Sequence, residues 1–130
     1  MPLKTDINEG DRWFANAAFK IKLRVWEADG VTPRDVSGYA LSWMLKRRQA
    51  DADLAAVLTK TTPTITITGV FHSDPAVNTQ LVEIPITDAN TVSVPGGIYR
   101  HELKRVDPGL ETVLCSGSAN LRAPLHKTVV

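Results

Sequence analysis

An all-β domain of about seven short strands, arranged as a sandwich or a barrel, is what this sequence predicts. Three observations point there. Apolar residues recur at every second position in several stretches, the period of a half-buried strand. Turn-forming residues separate those stretches at intervals of about 8–15 residues. No stretch of ordinary helix length has its apolar residues at three- and four-residue spacing. At 130 residues the chain has the size of one domain, large enough to bury about two-thirds of its unfolded surface.

The elements follow in order. Phe19, Ile21, Leu23 and Val25 alternate with Lys20, Lys22, Arg24 and Trp26, which predicts a first strand. Asp29-Gly30 is a turn pair, and residues 31–38 form a polar connection in which Pro33 permits only a loop or an edge segment. Tyr39 to Leu45 reads as a second strand with Leu41, Trp43 and Leu45 on one side, running out into Lys46-Arg47-Arg48. After a polar turn at 49–53, the stretch Leu54 to Lys60 fits either a helix turn or a strand. Thr61-Thr62-Pro63 behind it favours extended backbone, so a strand over Ala56–Lys60 is expected. Thr64 to Thr68 is alternating and β-branched, a fourth strand. Gly69 to Asn78 is read as a long loop with a turn at Asp74-Pro75, and Thr79 to Ile86 as a strand with Val82, Ile84 and Ile86 on one side. Residues 87–91 suggest one capped turn. Pro95-Gly96-Gly97 turns the chain into a strand over Ile98–Val106, with Tyr99, His101, Leu103 and Arg105 on one face. Asp107-Pro108-Gly109 is a hairpin turn, and Glu111 to Leu121 the returning strand.

Fifteen basic residues oppose fourteen acidic ones, so the overall charge is +1. That balance argues against a nucleic-acid binder, whose affinity rests on neutralising phosphates. One cysteine, Cys115, leaves no internal disulfide and no thiolate zinc site. The first residues lack an apolar stretch of signal-peptide type, and no apolar run approaches the roughly 20 residues of a membrane helix. A soluble product of a reducing compartment is expected.

Several constellations invite a chemical reading, and each has a plainer one. His72-Ser73-Asp74 contains a base, a nucleophile and an acid, but adjacent side chains rarely converge as a triad does, and Asp74-Pro75 reads as a turn. Asp51 and Asp53, with Asp29 or Asp107, could ligate calcium, yet the glycine and closing glutamate of a calcium loop are missing. Glu83 and Glu102 could pair as glycosidase carboxylates, although strand carboxylates more often face water. Cys115 lies among small residues, which fits a core position better than a nucleophile. Lys46-Arg47-Arg48 with Lys20, Lys22 and Arg24, beside Trp26 and Trp43, could line a single-strand groove, against which the charge balance weighs. Gly96-Gly97 lacks the lysine and helix of a phosphate loop. No catalytic, cofactor-binding or metal-ligating residue is therefore assigned, and no enzymatic activity is expected.

Taken in order, five segments carry a family resemblance: Glu9-Gly10-Asp11-Arg12-Trp13; residues 29–39 from Asp29-Gly30 to Gly38-Tyr39; residues 84–91 from Ile84-Pro85 to Asn90-Thr91; residues 94–103 from Val94-Pro95-Gly96-Gly97 through Tyr99 to Leu103; and Val113-Leu114-Cys115-Ser116-Gly117. Together they resemble the immunoglobulin-like β-sandwich of tailed-phage structural proteins, notably the N-terminal domain of baseplate upper proteins. Departures are Asn90-Thr91 in place of Asp-Thr, Arg100-His101-Glu102 after the tyrosine, and a long insertion over Gly69–Asn78. The resemblance implies an immunoglobulin-like antiparallel β-sandwich over residues 9–123, with an N-terminal arm (1–8) and a C-terminal tail (124–130). It implies a virion protein, made in the host cytoplasm, that works by assembly in a tail, baseplate or neck. The expected partners are other virion proteins, including further copies in an oligomer or ring, with no membrane and no nucleic acid. Capsid decoration and a carbohydrate- or ligand-binding sandwich using Trp26 or Trp43 are the alternatives, and a small hydrolase using His72, Asp74 and His101 is a third. In the sandwich reading Gly38 and Gly97 serve turns, Trp13 and Trp43 organise the core, and Tyr99 buries its ring while tying its hydroxyl to a loop.

Overall fold

A computed structural model describes residues 4–5, 13–14, 18–48, 51–52, 55–91 and 94–122. Among them are nine strands and one short helix: β1 Lys4–Thr5, β2 Trp13–Phe14, β3 Phe19–Arg24, β4 Leu41–Lys46, β5 Leu58–Thr61, β6 Thr66–Thr68, β7 Leu81–Ile86, α1 Asp88–Thr91, β8 Gly97–Arg105 and β9 Thr112–Arg122. The seven expected strands are β3 to β9. The other two are two-residue strands, one of them inside the expected N-terminal arm. The rest of that arm and the expected tail at 124–130 lie outside the described residues.

The strands form two sheets, ordered β1-β3-β7-β6 and β2-β9-β8-β4-β5. Every pairing is antiparallel except β2 with β9. The inner faces of the two sheets share one hydrophobic core, as alternation in β3, β4 and β7 dictates. Ile21 and Leu23, then Leu41, Trp43 and Leu45, then Val82, Ile84 and Ile86 all point inward and are buried. Tyr99, His101 and Leu103 supply the inner face of β8.

β9 breaks the simple period. Leu103 pairs with Cys115 and Lys104 with Val113, so Leu114 is an extra residue, a β-bulge. The bulge shifts the side-chain phase by one, and Leu114 and Cys115 are consecutive yet both buried.

Other departures have local causes. Alternation places Trp26 on the polar side of the first strand, but it is buried, because residues 25–34 fold into a small hairpin with a Trp26–Pro33 bridge. β5 starts at Leu58, later than expected, and β6 starts at Thr66 because a turn at residues 62–64, which carries the chain from one sheet to the other, takes up the expected first residue. The capped turn is α1: the Asp88 carboxylate accepts the Ala89 N–H, and the Asn90 side chain accepts the Thr87 N–H. The Tyr99 ring is buried and its hydroxyl donates to the Pro95 carbonyl.

Candidate functional site

Strand directions bring three connections to one end of the molecule. β3 ends there in the loop over residues 25–40, β7 begins there after the loop over residues 69–80, and β8 leaves there through the hairpin over residues 106–111. Hydrogen bonds lock the three together. Gln80 accepts the buried Val36 N–H at 3.2 Å and donates to the Asp35 carboxylate and the Ser37 hydroxyl, each at 3.0 Å. On the other side, Asp107 accepts from Arg105 at 2.7 Å and from the Ala40 N–H at 3.0 Å. These donors, Arg105 foremost, hold the Asp107 carboxyl below the usual carboxylate range. The Arg105 guanidinium also lies 3.8 Å from the centre of the Tyr39 ring, a cation–π contact.

Each loop is shaped by its own carboxylate. Asp29 accepts the Val31 and Thr32 N–H groups and the Thr32 hydroxyl, which lowers its pKa, the hydroxyl bond contributing most. Asp35 does the same with Ser37, again hydroxyl first, and its pKa is also lowered. Such Asx turns hold a loop in one shape without burying it. The end is also where apolar surface concentrates. Of the seven large hydrophobic side chains exposed among the described residues, six lie on these loops or beside them: Val31, Val70, Val77, Val106, Leu110 and Val113. Only Ile98 is elsewhere. Fixed loops carrying exposed apolar side chains are suited to binding another protein.

A second feature is a shallow groove of about 150 Å³ on the outer face of β4, β8 and β9. Its lining includes Ser42, Met44, Lys46, Arg100, Glu102 and Lys104, together with Val106 and Ser116. Small-molecule sites run from about 300 Å³ upward, so this groove has room for a single side chain rather than a cofactor. Arg100 is steadied by the Ser118 hydroxyl at 2.7 Å and Lys46 by the Asp51 carbonyl at 3.0 Å.

The chemical constellations considered from sequence do not assemble. His72, Ser73 and Asp74 lie in an exposed turn, where His72 Nδ1 accepts the Asp74 N–H and the Asp74 carboxylate accepts the Ala76 N–H. His101 is at the core, far from them. Its Nδ1 accepts the Trp43 indole N–H at 3.2 Å, and burial, with a smaller push from Arg100, lowers its pKa to about 4. Glu83 and Glu102 are on the outer faces of opposite sheets. Glu83 is held by the Thr68 hydroxyl and Lys20, and its pKa is lowered. Asp51 caps the turn after β4 at the end opposite Asp29 and Asp107, and Asp53 is outside the described residues. Among the described residues no three histidine, cysteine or acidic side chains form a metal-sized group. Lys20, Lys22 and Arg24 are likewise on the opposite face from Lys46, and Trp26 and Trp43 are 7% and 1% exposed, so neither indole offers a stacking platform.

Cys115 is buried, and desolvation raises its pKa to about 12. It is expected to be inert to Ellman's reagent at neutral pH in the folded chain and to react fully once denaturant is added. Rapid labelling of the native protein would contradict this burial.

What sequence reasoning missed were the loop-to-loop ties through Gln80 and Asp107, because both span more than forty residues and no local pattern announces them. No protein-family model matches this chain, and no curated protein matches it.

Proposed function

We propose that this chain is an immunoglobulin-like β-sandwich module of a tailed-phage virion that acts by binding other proteins. The observation behind the binding role is the loop end, whose shape is fixed by hydrogen bonds and whose exposed surface is rich in apolar side chains.

Strand order supports the immunoglobulin-like part of the reading. If β1 to β9 are lettered A, A′, B, C, C′, D, E, F and G, the sheets read A-B-E-D and A′-G-F-C-C′. An immunoglobulin-type sandwich divides its strands in the same way, which supports the reading. A buried tryptophan on strand C and a tyrosine on strand F that bonds back upstream are further marks of that fold, and Trp43 and Tyr99 match both. His101 stands two residues after the tyrosine, where antibody domains have their second cysteine. The Trp43–His101 hydrogen bond thus occupies the region that a disulfide fills in antibody domains. The virion part of the reading rests on the sequence resemblance to baseplate upper proteins.

The test is quantitative mass spectrometry of purified particles of the phage or induced prophage encoding the chain. A copy number matching a ring of the tail, baseplate or neck is expected. A number matching the major capsid protein would make it a capsid decoration protein instead, and absence from clean particles would overturn the virion reading.

A further inference from the structure

The near-neutral total hides a separation of charge. Loops 25–40, 69–80 and 105–111 carry six carboxylates (Glu27, Asp29, Asp35, Asp74, Asp107, Glu111) against two guanidiniums (Arg34, Arg105), a local charge of −4. The other described side chains carry nine cations against four carboxylates, or +5. The described residues therefore form an acidic, apolar end and basic sides.

The groove on β4, β8 and β9 is one of those basic sides. Lys46, Arg100 and Lys104 surround it against one carboxylate, Glu102, and Met44 gives it an apolar lining. Its volume, about 150 Å³, suits one protruding side chain. The loop end offers what such a groove would accept, namely exposed carboxylates beside exposed Val31 and Leu110. The two surfaces differ in sign and share only Val106 among the residues named for each.

We propose that the loop end of one copy docks into the β4–β8–β9 groove of a second copy, head to side. The inference rests on reading the domain as an assembly module and names the chain itself as one partner. Such a contact is heterologous: the pair leaves one free end and one free groove, so association closes into a ring or extends as a filament. The attraction is electrostatic at an exposed surface, so salt screens it.

The experiment is sedimentation velocity on the full chain, up to about 1 mM, the weak end of the affinity scale. The average mass is expected to rise above the 14.2 kDa monomer with concentration, and to fall back when salt is raised to about 1 M, where the screening length is about 3 Å. Two double variants separate the surfaces: Glu27→Lys with Glu111→Lys at the loops, and Arg100→Glu with Lys104→Glu at the groove. Each alone is expected to be monomeric and folded by circular dichroism, and an equimolar mixture to associate again, at least in pairs, because the unaltered groove of the loop variant accepts the unaltered loops of the groove variant. A wild-type chain that stays monomeric at low salt would overturn the proposal. So would a variant that associates like wild type, or a mixture that does not associate. None of these results bears on particle composition, so a chain counted in virions yet monomeric in solution would sink the self-docking alone.

Discussion

Lowering the pH from 6.5 toward 4 is expected to cost the folded protein about 3 kcal/mol through His101 alone. The imidazole is buried against Trp43, and its Nδ1 lone pair already accepts the indole N–H, so a proton can be added only by losing that bond and charging the core. In the unfolded chain the same group takes its proton near the ordinary 6.5, whereas in the folded protein it does so near 4. Between these values the unfolded state binds more protons. The contribution is therefore fully present above pH 6.5 and is lost as the pH falls toward 4. Domains of this size have about 5–15 kcal/mol in total, so the loss is a large share. Urea midpoints measured across this range for wild type and His101→Asn would isolate it. The amide keeps an acceptor for Trp43 and does not titrate. The variant should be less stable at pH 7 but nearly flat down to pH 4, where only the carboxylates shared by both proteins begin to titrate. Parallel curves would mean that His101 is not the responsible group.

Gly69→Ala is expected to cost at least about 3 kcal/mol, whereas Gly38→Ala should cost about 1 kcal/mol. Both glycines have left-handed backbone, with φ of 75° and 77°, so the conformational penalty is common to both. They differ in what a side chain would meet. A Cβ at Gly38 meets nothing within 4 Å, while one at Gly69 falls on the Thr79 carbonyl, 2.6 Å from its carbon. Thr79 is bonded across to Val70 through its backbone and its hydroxyl, so relieving the overlap would open the base of the 69–80 loop. Gln80, the next residue, ties that loop to residues 35–37. Equilibrium urea unfolding of the two variants decides the matter. Equal losses would show that backbone strain, not the close approach, sets the cost.

Much of the fold was legible because burial follows a period of two wherever a strand has one wet face. β3, β4 and β7 are of this kind, and their buried residues are those the alternation picks out. β9 was only half legible, since the phase break at Leu114 comes from pairing with β8 and has no trace in local sequence. Trp26 was misplaced for a related reason, as its burial depends on Pro33 returning across a hairpin. The candidate surface was less legible than the fold. Sequence sums gave a charge of +1, and only the chain path sorts carboxylates into the loops and cations onto the sheets. Sequence alone allows Lys20 and Lys46 to share one basic face, and the two-layer arrangement puts them on opposite sides.

The bulge in β9 also bears on how this domain can change length over evolutionary time. A residue added to or dropped from a regular strand inverts every later side chain, turning core outward. Leu114 has no partner across the ladder, so removing it would leave Val113 opposite Lys104 and Cys115 opposite Leu103. The cost would be one buried leucine and not the facing of a whole strand. A lineage could therefore lose or regain a residue at this point while keeping the rest of the hairpin in step. Distant relatives are best aligned across β9 with any single gap placed here.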